Sequence, residues 1–278
     1  MFLLDTSAMR ALSHTDLQSL VRKGISLCGS PYACWELLCH LDEEGIFSKQ
    51  KAELLKFQYL NILDDPQIII ESSLSVVHEN RVSDVDLIMA CLAALQKSNS
   101  LDEFYSSYIR DPKGGYREIS DLSERARILL GGLETDYVDF VSRLVTHFGN
   151  SPDARDISTH PHLIFSMVTG EIGKLKLPNT LPIVPREDAV RCFWIYCGYI
   201  FYRSICYVEK GGPVPKNDYE DANICKHLRT DTQLQLVTDD DGTIEALTSL
   251  IQSSQPFVRL TLKMQKTTYL KQLARGTG

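Results

Sequence analysis

The sequence predicts an α/β fold with a short, mainly parallel sheet, interrupted by a mostly helical insert. Three observations carry this. Near the start, Phe2–Leu4 is apolar without polar alternation, as expected of a strand covered on both faces, ISLCG (25–29) reads as a second buried strand, and each precedes a helix-like stretch. Near the end, LQLVT (234–238) repeats the pattern, followed by the helical run GTIEALTSLIQ (242–252). Between them, about 46–212 reads as helices joined by turn-rich pieces, as when a helical module enters an α/β domain.

Taken in order, FLLD gives a first strand, and SAMRALSHTDLQSLVRKG a helix starting near Ala8 and stopping at Gly24. ISLCG gives a second strand. SPYACWELLCHL then opens with Ser30 as cap and Pro31 at the first helical position. KAELLKFQYLNIL (51–63), SDVDLIMACLAALQ (83–96), the run 120–148 and the run 186–208 read as helices by length and spacing, whereas IIIESS (68–73) is too short to decide. DPKGGYRE and KLPNTLPIVP (176–185) read as loops. After GGPVPKN, DYEDANICKHLRTD reads as a helix, and PFVRLTL (256–262) as a last strand.

A net charge of −7 argues against a protein that coats nucleic acid through bulk electrostatics, but not against an enzyme that brings metal ions to carboxylates. The tail is the exception: Arg259, Lys263, Lys266, Lys271 and Arg275 have no acid among them, which suits a phosphate backbone or a solvated basic helix. The eight cysteines form no CxxC pair, and several lie in apolar helical patterns; this predicts a reducing, cytoplasmic setting without disulfides or structural zinc. His160 and His162 read as a loop pair. No signal peptide is legible, and the uncharged stretch between Arg191 and Arg203 is only eleven residues, far short of the roughly 20 a bilayer span needs. That helix, with rings on all sides, is expected in a core rather than stacking bases.

The acidic residues give the functional lead. Asp5 ends the first strand, where ligands bind in open α/β sheets, although Asp5, Thr6 or Ser7 would equally cap a helix. Asp239, Asp240 and Asp241 follow LQLVT, Asp218 and Asp221 open the helix after the linker, and Glu36 lies among apolar neighbours in the second helix. If the strands are neighbours, these acids meet at one sheet edge. Converging carboxylates repel unless a cation offsets them, and hard divalent ions such as Mg²⁺ or Mn²⁺ favour oxygen ligands. The chemistry suggested is metal-assisted phosphodiester hydrolysis.

LLDTSAMRAL, SPYACWELL, NDYEDANICKHL and LQLVTDD together resemble, in order, the four signatures of PIN-domain nucleases. The resemblance implies a three-layer α/β/α PIN-like domain over 1–45 and 213–278, with a helical insertion at 46–212. It implies metal ligands and catalytic acids at Asp5, Glu36, Asp221 and Asp240, with Asp218 accessory, Asp239 an alternative to Asp240, and Thr238 and Ser7 as neighbours of the site. Asp84 and Asp86 mimic the third signature, but no strand ending in Thr and Asp follows them closely.

A Mg²⁺- or Mn²⁺-dependent endoribonuclease is therefore the expected function, acting on single-stranded RNA, with a toxin or defence role suggested by the resemblance. The alternatives are a catalytically inactive PIN-like scaffold and a DNA nuclease with the same site. Arg10, Arg22, Lys23, Arg229 and the tail are candidates for backbone contact. The insert is a candidate surface for a protein partner or inhibitor, and a homo-oligomer is compatible with the sequence; no membrane association is expected.

Overall fold

The computed structural model describes residues 1–42, 47–74, 83–111, 114–156, 160–175, 186–216 and 218–276. It is a mixed α/β structure built on a five-stranded parallel sheet flanked by helices. The strands are β1 (Phe2–Leu4), β2 (Leu27–Gly29), β3 (Asn61–Ile62), β6 (Gln235–Val237) and β7 (Lys263–Gln265), in the order β3-β2-β1-β6-β7. A separate hairpin pairs β4 (Tyr108–Arg110) with β5 (Tyr116–Glu118). Successive side chains of a strand point to opposite faces, which divides the core. Leu3, Cys28 and Leu236 share one rung and join one apolar cluster, while Leu4 and Val237 join the other.

The second cluster is covered by α1 (Thr6–Ala11), α2 (His14–Arg22), α3 (Pro31–Cys39), α4 (Phe47–Leu55), α6 (Asp84–Lys97) and, at the C-terminus, α13 (Thr267–Arg275). The first holds α8 (Ile119–Asn150), α9 (Pro161–Lys174), α10 (Arg186–Lys210), α11 (Asp218–Cys225) and α12 (Asp241–Ser254). Two short helices complete the middle segment, α5 (Pro66–Ser73) and α7 (Leu101–Tyr105). The aromatic helix α10 is the hub: it packs on α8, α9 and α12, with Trp194, Tyr199 and Phe201 buried. Trp194 Nε1 donates to Ser254 Oγ on α12 at 2.9 Å. No helix among the described residues is long and apolar enough to cross a membrane.

Several sequence expectations need correction. The helix expected from Ala8 to Gly24 is two helices, because Ser13 starts a new one through a capping box with Asp16; Gly24 does stop the second, at φ 74°. IIIESS is helical, its start set by Asp65 as cap and Pro66 at the first position. In KAELLKFQYLNIL the helix tightens to a 3-10 turn at Lys56–Tyr59, and Asn61–Ile62 instead join the sheet beside β2. Part of the expected loop DPKGGYRE is strand β5, reached through left-handed Gly114 and Gly115. The last strand is Lys263–Gln265 rather than PFVRLTL, since an edge strand is paired on one side only and tolerates polar residues. DYEDANICKHLRTD is helical only to Cys225. The basic tail contributes α13, whose Leu270 and Ala274 are buried. KLPNTLPIVP lies outside the described residues. All eight cysteines are free and buried.

Candidate active site

Adjacent strands β1 and β6 point their carboxyl ends the same way, and the chain places an acid after each. Asp5 continues the ladder, its N–H bonding Val237 O at 3.2 Å, and its carboxylate caps α1 by accepting from Ala8 N at 2.6 Å. Ser7 Oγ donates to the same carboxylate at 2.8 and 2.9 Å. Capping was the alternative to a ligand role for Asp5, and the residue does cap. Buried at 2% exposure, Asp5 has its pKa raised to about 6 by burial, against the pull of hydrogen bonds from Thr238, Ala8 and Ser7, with the charge of Asp240 adding to the rise.

The opposite side is built by the turn after β6. Thr238, fully buried, accepts from Asp240 N at 3.0 Å, which turns Asp240 to cap α12 by accepting from Thr243 N at 2.5 Å. Asp239 turns the other way: it accepts from Thr267 N at 3.0 Å and from the Thr267 hydroxyl, fastening the start of α13. Asp241 is exposed and paired with Lys266 at 2.8 Å. Of the three consecutive acids, Asp240 is thus the one that shares the field of Asp5 and Asp221.

Helix α11 supplies Asp218 and Asp221, three residues apart and so on one face. Asp221, beside the buried Ala222, has its carboxyl pushed well above the usual range by burial and then by the charges of Asp5, Asp240 and Asp218. Asp218 is occupied: Arg203 of α10 donates from Nε at 2.9 Å and from Nη2 at 2.5 Å, and the Tyr207 hydroxyl bonds the same oxygen. Burial still raises the Asp218 pKa, against the pull of Arg203. Glu36 stands one step aside, accepting from Thr6 Oγ1 at 2.8 Å, with Arg10 at 3.9 Å. Its carboxyl faces Glu220, whose pKa is raised by burial and then by the Glu36 charge and hydrogen bond.

Asp5 and Asp240 therefore lie at the carboxyl ends of neighbouring strands and their charges act on Asp221, with Ser7 and Thr238 bonded to Asp5; Glu36 adjoins through Thr6, and Asp218 and Asp239 are engaged elsewhere. Asp84 shares its surroundings with Asp65, Trp35 and Asp64 instead, and Asp86 is exposed. His160 stands at the N-cap position of α9 and His162 lies in its first turn, so the pair opens a helix rather than sitting in a loop; the rings are 5.5 Å apart. Lys23 donates to the Leu273 and Ala274 carbonyls at 2.6 and 2.9 Å, which commits it to the end of α13.

Sequence reasoning missed Glu220, Arg203 and Tyr207. Arg203 left one signal: a lone cation closing an eleven-residue uncharged helical run is a buried cation, and a buried cation needs an acidic partner. Among the described residues no three His, Cys, Asp or Glu side chains close into a metal cage. The donor chemistry still suits a hard divalent ion, since Asp5, Asp221 and Asp240 offer carboxylate oxygens alone and their mutual repulsion is what such a charge relieves. No protein-family model, curated protein or solved structure matches the chain.

Proposed function

We propose that this chain is a PIN-type, Mg²⁺- or Mn²⁺-dependent endoribonuclease built as a three-layer α/β/α domain. One observation carries the reading: strand β1, helix α11 and the turn after β6 bring Asp5 and Asp240, at the carboxyl ends of neighbouring strands, within reach of Asp221, on which both charges act. Keeping such groups together opposes stability, and proteins retain that kind of arrangement at sites with a task. The order of the four PIN-like signatures, with their strands and helices in matching places, supports the same assignment.

Asp5, Asp221 and Asp240 would hold the ion, with Glu36 completing the set. A bound divalent ion supplies Lewis acidity, lowering the pKa of water and offsetting charge on the phosphate oxygens. The residues do the rest. Ser7 and Thr238 orient Asp5 by hydrogen bonds to its carboxylate, and Thr238 fixes the turn that aims Asp240. In the hydrolysis that the resemblance implies, water adds to phosphorus as the bond to the 3′-oxygen breaks; that oxygen takes up the proton, leaving a 5′-phosphate.

A second reading has its own support. The acids do not close into a three-ligand cage among the described residues, which favours a PIN-like scaffold whose helical segment binds a protein partner. End-labelled RNA and single-stranded DNA incubated with Mn²⁺, Mg²⁺ or EDTA separate the readings. Metal-dependent cutting of RNA into 5′-phosphate products is expected; cutting of DNA alone favours the DNA nuclease, and intact polymers with well-folded protein favour the scaffold.

A further inference from the structure

Helix α10 belongs to the middle segment, yet its Arg203 reaches into the acid site. Arg203 is 9% exposed and its guanidinium is held along one edge: Asp218 accepts from Nε and Nη2, and Nη2 also donates to Tyr207 Oη at 2.8 Å, one turn along the same helix. Its carbon lies 5.1 Å from the Tyr207 ring centre, so the ring supports the charge from one side. On the other side lies the first turn of α12. A Cβ at Gly242 would overlap Arg203 Nη1 and stand 3.3 Å from Asp240 Oδ1, so glycine there is what lets the guanidinium lie against that turn. Arg203 thus spans from α11, which carries Asp221, to α12, which is capped by Asp240.

The pairing also settles what Asp218 is free to do. Asp218 and Asp221 share a face of α11, and the Asp218 charge already acts on Asp221. Released from Arg203, Asp218 would be a fourth carboxylate beside Asp5, Asp221 and Asp240.

We infer that Arg203 is a positioning residue: it holds Asp218 out of the ligand set and fixes α11 against α12, making the middle segment a working part of the acid site. This rests on the nuclease reading above. Substituting Arg203→Gln removes one positive charge and frees one carboxylate, and both changes favour a bound cation. The expected result is therefore of opposite sign in two readouts. Mn²⁺ binds at least about tenfold more tightly by calorimetry, since a unit charge beside the site opposes a divalent ion by that much even through a water-like dielectric. Meanwhile kcat on RNA falls at least about tenfold with KM nearly constant, because the extra ligand misplaces the ion.

Two further variants test position against charge. Arg203→Gln combined with Asp218→Asn removes the freed carboxylate, and is expected to return Mn²⁺ affinity towards wild type and to recover part of kcat. Gly242→Ala keeps every charge but displaces the guanidinium, and is expected to lower kcat as Arg203→Gln does.

A structural ion pair and nothing more predicts a lower Tm in Arg203→Gln with Mn²⁺ affinity and kcat, per folded molecule, at wild-type values; that result overturns the inference. A wild type that neither binds Mn²⁺ nor cuts RNA overturns the nuclease reading instead. The clamp then keeps its own readout in metal-free protein: Tm falls in Arg203→Gln and recovers in the double variant, and failure to recover overturns it.

Discussion

The carboxylate of Asp239 accepts the backbone N–H of Thr267 at 3.0 Å, so it serves the start of the C-terminal helix rather than the acid cluster next to it. Its neighbour Asp240 caps α12 and faces Asp5 and Asp221. The two adjacent acids should therefore fail differently. Asp239→Ala is expected to cost about 1 kcal/mol of stability through the lost cap, seen as a lower midpoint in urea. Asp240→Asn, which can still cap, is expected to keep its midpoint and lose metal-dependent cleavage.

Metal-free stability should fall as pH rises through the weakly acidic range. Asp5 is raised from 3.8 to about 6 by burial, so the folded state holds a proton that the unfolded chain has released. Below pH 3.8 the group is protonated in both states and contributes nothing; between 3.8 and 6 its native ionisation grows costly, by about 3 kcal/mol once complete. Asp221, raised in the same direction, extends the loss to higher pH. Asp5→Asn is thus expected to raise the Tm at pH 8 in EDTA and to change it little at pH 3.5. A lower Tm at pH 8 would contradict the assignment.

Gly198 lets α10 and α12 approach: a Cβ there would overlap the side chain of Leu250, which is fully buried. Gly198→Ala is expected to destabilise by about 1–3 kcal/mol, since an overpacked interior has nowhere to put the added methyl. Equilibrium unfolding should show the shift with an unchanged denaturant slope.

Lys56 is buried at 4% exposure, and its ammonium donates to the Met9 carbonyl at 3.0 Å and to Glu53 at 2.6 Å. It thereby closes the end of α1, the helix that begins at Asp5. Lys56→Met is expected to cost about 1.5–3 kcal/mol, the range for hydrogen bonds to charged groups. Thermal unfolding checks it.

Much of the sheet was legible because both-face burial leaves uninterrupted apolar runs such as Phe2–Leu4, and Ser30 with Pro31 marks a helix start without tertiary help. β3 was not, since Asn61–Ile62 is too short to show a period and becomes a strand only by pairing with β2. Of the acids, Asp5 and the run Asp239 to Asp241 were legible from their place at strand ends. Asp239 and Asp240 were indistinguishable, because the difference lies in the turn imposed by Thr238 and in Thr267, 28 residues on. Arg203 was hidden for a similar reason: its meaning depends on Asp218, which lies beyond the end of its own helix.

The most direct test of the central claim is single-turnover cleavage of one end-labelled RNA in Mn²⁺ by wild type, Asp5→Asn, Asp240→Asn and Asp239→Asn, each checked for fold by circular dichroism. The account predicts cutting by wild type and Asp239→Asn, and its loss in Asp5→Asn and Asp240→Asn. Equal cutting by all four, or loss confined to Asp239→Asn, would contradict it.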